Sequence, residues 1–314
     1  MNILFVTATR IGDAVISTGV LGHLMERHAG ARITVACGPA AAPLFEGAPG
    51  VERVVTLEKA PAYGHWFGLW RMAAARWWHL VVDLRSSALA YLVPARRRLV
   101  YRQVDGPVHR VAALGALVDA AEPPAPRLWL APAHEAAAER LAPAGRPLLA
   151  LGAGAGWPGK RWPGERFASL AARLTAPGGI VPGAAVAVLG DEADRAHTRS
   201  LVAGLPGCLD LVGTVDLLTA AALLRRCSLF VGNDSGLMHI AAAVGAPTLG
   251  LFGPSREDHY APWGPRAAVV RTAASYEDLV GKRGHAAGTL MDTLTVEMAE
   301  EGACALWNAA RGAT

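Results

Sequence analysis

Residues 229–251, LFVGNDSGLMHIAAAVGAPTLGL, read as strand, turn, helix, turn, strand. Leu229–Val231 is a short apolar run that stops at Gly232, and Ser235 opens a run of helix formers that reaches Val244. Gly245 and Pro247 end that helix, and Pro247–Leu251 is apolar and strand-like again. Gly236–Ser255 carries no formal charge over twenty residues, a length that suits a membrane span. Gly245, Pro247, Gly250, Gly253 and Pro254 interrupt it, so it reads as elements of a folded domain. A strand that leads into a helix and back to a strand is the unit of a parallel sheet covered by helices.

The alternation continues outward. Upstream, Pro147–Gly152, Ala185–Leu189 and Leu209–Val212 read as strands, with helices at Gly164–Leu174, Glu192–Ala203 and Leu217–Arg226. Downstream, Met291–Ala310 reads as a closing helix, a candidate to pack back on the N-terminal part. That part repeats the pattern, with strands at Asn2–Ala8, Arg32–Cys37, Val54–Leu57, His79–Leu84 and Leu99–Arg102. Its helices run from the Gly12-Asp13 break to His28 and over Tyr63–Trp78, Ser86–Leu92 and Val108–Ala120. A stretch punctuated by prolines from Pro123 to Pro147, with one short helix at His134–Leu141, separates the two series. The expectation is an α/β chain of two Rossmann-like domains, 1–143 and 144–314. A ligand cleft is expected between them, at the carboxyl ends of the strands.

Of the 314 residues, 52% are hydrophobic and 18% charged, which excludes a disordered chain. Gly (35) and Pro (21) show no repeat, so a collagen-like or low-complexity protein is also excluded. The formal charge of +4 suits an anionic ligand and is too small to mark a nucleic-acid binder. Cys37, Cys208, Cys227 and Cys304 lie far apart without a C-x-x-C pair, so neither a disulfide framework nor a zinc site is expected, and a reducing compartment is. The opening Met1–Arg10 has no basic region of a secretory signal. A cytoplasmic protein is expected, with peripheral contact at a membrane left open.

Four stretches carry chemistry. In Val231–His239 an apolar strand ends at Gly232 and a helix starts near Ser235, which aims unpaired backbone N–H groups at one spot suited to an anion. Ordinary capping by Asp234 or Ser235 reads equally well. Gly152–Pro163 is a Gly-rich loop after a strand. Trp157 breaks a G-x-G-x-x-G fingerprint, and Arg161 stands where a P-loop needs Ser or Thr for magnesium. What survives is Lys160, one of three lysines in the chain, as a point charge for a phosphate, against a solvated lysine on a turn. Leu189-Gly190-Asp191-Glu192 ends a strand with carboxylates suited to ribose hydroxyls or to a helix cap. Asp13, in Thr7–Asp13, stands at a helix start after the first strand, as a proton acceptor or as an N-cap.

The strings Arg10-Ile11-Gly12-Asp13, Lys160-Arg161-Trp162-Pro163 and Gly232–His239, in this order and spacing, resemble glycosyltransferase family 9, the lipopolysaccharide heptosyltransferases, over nearly the whole chain. The resemblance implies a GT-B fold, an ADP-heptose donor and inverting transfer without a metal or other cofactor. The acceptor it implies is the inner core of a lipid A-linked oligosaccharide. It implies Asp13 as catalytic base beside Gly12, with Lys160 at the donor phosphate or sugar and Glu192 at the ribose. Val215 would touch the adenine and Asp234 the sugar hydroxyls. Ser235, Gly236 and Leu237 would offer backbone N–H groups to the diphosphate, with His239 nearby. Where relatives carry Ser or Thr, this chain has Ala155 and Gly156, so two hydroxyl contacts to the donor are absent.

Two further features bear on the acceptor. Trp66, Trp70 and Trp77 fall at helical spacing, as a core stripe or as a membrane-interface edge. Arg96, Arg97 and Arg98, with Arg10, are candidates for acceptor phosphates or carboxylates, or a solvated charge cluster. Competing readings are a P-loop phosphotransferase, which would need magnesium, a sugar-nucleotide epimerase, and a non-catalytic sugar-nucleotide binder, which would have no use for Asp13.

Overall fold

The structure, a computed structural model, describes residues 1–58, 61, 64–142, 145–281 and 288–312. The chain forms two compact units, Met1–Trp129 and Leu130–Thr314.

In the first unit β1 (Asn2–Val6), β2 (Arg32–Cys37), β3 (Val51–Thr56), β4 (Trp78–Asp83) and β5 (Ala95–Val100) form a parallel sheet in the order β3-β2-β1-β4-β5. Its helices are α1 (Ile11–Arg27), α2 (Pro43–Glu46), α3 (Gly64–Ala74), α4 (Leu89–Leu92) and α5 (Arg110–Leu117). Ile3, Leu4, Phe5 and Val6 are all fully buried, so β1 shows no polar alternation, as a strand covered on both faces requires. The start of the proline stretch, Pro123–Arg127, is packed against this unit. A side chain at Gly19 of α1 would run into the Pro124 carbonyl, and Thr18 Oγ1 accepts the Arg127 N–H at 2.9 Å.

In the second unit β6 (Leu148–Gly152), β7 (Ala185–Leu189), β8 (Leu209–Asp210), β9 (Leu229–Asn233), β10 (Thr248–Phe252) and β11 (Ala267–Arg271) form a parallel sheet in the order β11-β10-β9-β6-β7-β8. Its helices are α6 (Pro132–Leu141), α7 (Gly164–Thr175), α8 (Arg195–Ala203), α9 (Leu217–Arg225), α10 (Gly236–Ala243), α11 (Glu257–Tyr260), α12 (Tyr276–Val280) and α13 (Val296–Gly312).

The structure corrects the sequence reading in four places. First, the units divide at Trp129/Leu130, ahead of the expected 143/144. The reason is α6, which packs on α9 and is tied to it by ion pairs Arg225–Glu135 (2.6 Å) and Arg226–Glu139. Second, the closing helix starts at Val296 and not at Met291, and it packs on α7, β10 and β11, where Gly302 lets it approach Val270. Third, β11 joins the sheet edge, a half-buried strand that the sequence reading left unassigned. Fourth, the helix expected over Tyr63–Trp78 ends at Ala74. Trp78 instead opens β4, fully buried, with its indole N–H donated to the Ala73 carbonyl at 2.8 Å, and Trp77 lies in the turn before it. The three tryptophans therefore form no stripe; the expected start, Tyr63, falls outside the described residues.

Candidate active site

In the second sheet β6 lies between β9 and β7, so the connections leaving its two sides diverge and open a crevice at the strand ends. The loop after β6 and the turn after β9 meet there. Gly152 sits opposite Gly232 in the two strands. A Cβ on Gly232 would lie 2.6 Å from the Phe230 ring and 2.9 Å from the Gly152 carbonyl oxygen, so the close approach of these strand ends requires glycine.

Asn233, fully buried, holds loop and turn together. Its side-chain oxygen accepts the Trp162 N–H at 3.1 Å, and its amide donates to the Ala153 carbonyl at 2.7 Å. The Trp162 indole donates to the Leu294 carbonyl at 2.8 Å, which anchors the far end of the loop. Asp234 is buried and its carboxylate meets Lys160 Nζ at 2.5 Å, with His239 Nε2 4.0 Å from its other oxygen. Lys160 lies in a 3₁₀ turn, Pro158–Lys160, and α7 starts only at Gly164, beyond Pro163. A P-loop would open its helix at the lysine, so this geometry excludes that reading.

Ser235 occupies the N-cap position of α10, yet its side chain makes no capping bond and its Oγ is buried without a partner. The N–H groups of Gly236 and Leu237, in the first turn, precede any intrahelical acceptor. The turn thus presents a hydroxyl, two amides and an ammonium, the set that an oxyanion recruits. Ala155 is buried, and at Gly156 an added Cβ would meet nothing within 4 Å.

At the end of β7, Asp191 and Asp194 cap each other's backbone, which leaves Glu192 exposed and free of capping. Gly213, at φ +67°, brings the next loop against it: a Cβ there would lie 2.3 Å from Glu192 Oε2. Half-buried Val215 follows, just ahead of Asp216, which accepts the Leu218 and Thr219 N–H groups to cap α9. Burial raises the Asp194 carboxyl above its ordinary range, with Asp191 adding to the effect. Burial lowers His197, 3.3 Å from Asp194, with Arg161 adding. A Cβ on Gly154 would strike the Asp194 carboxylate, so this pair forms the floor of the loop.

In the first unit the strand order places the corresponding divergence between β1 and β4. The segment after β1 enters α1 with exposed Arg10 at the N-cap and half-buried Gly12 and Asp13 in the first turn. Capping does not occupy Asp13. Among the described residues its carboxylate makes no hydrogen bond or ion pair. Arg96 and Arg97 are exposed on β5, and Arg97 reaches Asp119 at 3.2 Å. Arg98, grouped with them in the sequence, instead donates to the carbonyls of Ala90 (2.7 Å), Val93 (2.8 Å) and Ala95 (3.0 Å) and is committed to the backbone.

The model of glycosyltransferase family 9 (heptosyltransferase) matches residues 54–284. The chain belongs to glycosyltransferase family 9. Over 132 residues this family 9 chain is 36% identical to the lipooligosaccharide heptosyltransferase 2 of Haemophilus influenzae, covering 40% of this chain and 37% of that one. The chain spans 37–40% of the length of the first curated relatives it matches. The fold is GT-B, as in the glycosyl transferase family 9 structure from Veillonella parvula (TM-score 0.83, 20% identity, 98% of this chain and 97% of that one). The ADP-heptose lps heptosyltransferase II of Escherichia coli has the same fold (TM-score 0.76, 23% identity, 99% and 100%).

Among the described residues of the family 9 chain no three His, Cys, Asp or Glu side chains cluster as metal ligands, and no helix is long and apolar enough to cross a membrane. The sequence reading named Lys160, Asp234, Ser235, Gly236, Leu237 and His239 at the second site, and the structure brings Lys160, Asp234 and His239 together. It missed Asn233 and Asp194. Asn233 lay inside the quoted string, and its two bonds to the preceding loop depend on strands β6 and β9 being neighbours.

Proposed function

We propose that this family 9 protein is an inverting glycosyltransferase. It moves a heptose from ADP-heptose to a hydroxyl of the lipopolysaccharide inner core. The observation that carries the reading is the turn at Lys160, Asp234 and Ser235. There an unpartnered buried hydroxyl, open helix amides and one lysine converge at the strand ends of the second unit. The names of the Haemophilus influenzae and Escherichia coli relatives supply the sugar.

In this reading the donor diphosphate lies on the Gly236 and Leu237 amides and Ser235 Oγ, with Lys160 swinging from Asp234 to a phosphate oxygen. Asp234, buried and then relieved of its lysine, accepts from sugar hydroxyls, with His239 beside it. Glu192 takes the ribose hydroxyls and Val215 the adenine. Ala155 and Gly156 leave the loop without hydroxyls, so fewer contacts to the donor come from that side. Asp13 takes the acceptor hydroxyl proton while that oxygen bonds to the anomeric carbon. The anomeric carbon–phosphate oxygen bond breaks and ADP departs with the electron pair. The amides and Lys160 neutralise the charge that develops on the leaving phosphate. A single displacement inverts the anomeric centre. Arg10, at the N-cap of α1 ahead of Asp13, would meet the acceptor's phosphates or carboxylates; Arg96 and Arg97, expected there too, lie at the amino end of β5, level with the start of β1 and away from Asp13. The first unit would be the acceptor domain and the second the donor domain. The setting would be the cytoplasmic face of the inner membrane, with peripheral contact.

A thermal-shift panel of ADP-, UDP- and GDP-linked sugars tests the donor, because a specific ligand raises apparent stability by mass action. ADP-heptose is expected to stabilise most; preference for a UDP-sugar would replace the donor and keep the fold. In the same series Asp13→Asn should lower transfer by about 10²–10⁴-fold with the ADP-heptose shift retained. Loss of both together would make Asp13 a structural residue.

A further inference from the structure

The helices α3 and α4 of the first unit leave a built apolar surface exposed. Phe67 is 61% exposed, Trp70 37%, Tyr91 60% and Leu92 62%. Phe67 and Trp70 stand one helical turn apart with ring centroids 5.6 Å apart, and Arg71 shares their face. The Trp70 indole donates to the Leu92 carbonyl at 3.1 Å, which locks α3 to the end of α4. Arg98 fixes α4 from beneath, through the carbonyls of Ala90, Val93 and Ala95. These four side chains are therefore held outward by ordered structure. An apolar patch kept in place in this way marks a docking surface.

Its charge selects the partner. Residues 64–104 contain seven arginines and one acid, Asp83, and that carboxylate is fully buried, bound to the Arg85 and Ser87 N–H groups at 2.8 Å each. Among the described residues Arg71 and Arg96, both exposed, pair with no carboxylate. Glu58, exposed beside Gly64 and Gly68, is the acid described along α3, and Arg71 with Arg96 leaves the face net positive, so a second copy would set mostly like charge against it. An anionic bilayer supplies the missing counter-charge, and Trp70 and Tyr91, each apolar with one polar end, suit the headgroup boundary. We propose that this α3–α4 face seats the protein on an anionic lipid surface, with Phe67, Trp70, Tyr91 and Leu92 entering the headgroup boundary and Arg71 and Arg96 on the lipid phosphates. The proposal deepens the membrane contact of the functional reading and, in its purpose, rests on a lipid-linked acceptor.

Co-sedimentation of the full chain with vesicles of phosphatidylcholine alone and of phosphatidylcholine mixed with phosphatidylglycerol tests it. Binding to the mixed vesicles only, weakened by salt, is expected. Phe67→Ser with Leu92→Ser should lower that binding about tenfold or more, and Arg71→Glu should lower it most at low salt. An unchanged melting temperature shows that the variants are folded. Transfer to an acceptor carried in vesicles should fall in the double variant, and transfer to a deacylated, water-soluble acceptor should not. No binding of the wild type to anionic vesicles, or equal binding by the double variant, overturns the proposal. So does concentration-dependent dimerisation of the wild type that the double variant abolishes, which would make the occupant a second copy. Vesicle binding in a protein that transfers no heptose would instead sink the functional reading and leave this surface standing.

Discussion

Lys160 rests on Asp234 in the structure, and in the proposed reading it passes from there to a donor phosphate. With Nζ 2.5 Å from Asp234 Oδ2, it neutralises a carboxylate that is only 8% exposed. Lys160→Met is expected to leave that carboxylate without its cation, at a cost of about 1–3 kcal/mol in unfolding free energy, and to weaken ADP-heptose binding about tenfold or more. Adding Asp234→Asn should recover most of the lost stability and none of the affinity. Denaturant titration and calorimetric binding of the four proteins of this cycle check both halves, and recovery of affinity in the double variant would remove Lys160 from the phosphate. A lysine in a Gly-rich loop and an acid ahead of a helix are each legible in the sequence. Their pairing across 74 positions is not, because it depends on β6 and β9 being adjacent in the sheet. The arginine triplet shows the same limit. Arg96, Arg97 and Arg98 are alike as residues, but Arg98 alone donates to the carbonyls of Ala90 in α4, Val93 at its C-cap and Ala95 at the start of β5.

The elements are set by periodicity and punctuation, and their ends by neighbours. The helix α3 stops at Ala74 because Trp78 belongs to β4, where the strand pairing Trp78↔Ala95 claims it. Its aromatic spacing looked helical past that point, since period alone does not report where a sheet begins. The β11 strand escapes for the opposite reason: Ala267-Ala268-Val269-Val270 is an apolar run too short for period to tell strand from helix. Between β6 and β9, glycine decides how closely two strand ends approach beneath the candidate site. Gly232→Ala would push into the Phe230 ring and the Gly152 carbonyl and is expected to cost about 1–3 kcal/mol. It should also weaken donor binding by displacing the Asp234–Ser235 turn. A denaturation midpoint equal to wild type would show that the strand ends have room to spare.

At the scale of the molecule, burial controls the thiols. All four cysteines are free, and burial pushes the Cys37 and Cys227 thiols from 9.0 up to about 12. Their folded-state values are raised, so the stability they contribute is fully present below about pH 9 and is lost as pH climbs from there toward 12. At pH near 8 both should resist alkylation in the native protein, and the alkaline fall in unfolding free energy should be shallower in the Cys37→Ala, Cys227→Ala variant. An equal fall would place these thiols in contact with solvent. The sequence by itself determined the α/β class, the strand–turn–helix junction at residues 229–244, the family and the kinds of side chain at the candidate site. All of these are written in local order: apolar period, glycine and proline breaks, and short strings of fixed spacing. Only the tertiary structure decided that Lys160 rests on Asp234 and that Asn233 ties the loop to β9. It also decided that α6 belongs with the second unit and that Phe67, Trp70, Tyr91 and Leu92 face outward. Each of these is a choice among partners distant in the chain, and strand order and packing make that choice where local propensity is silent.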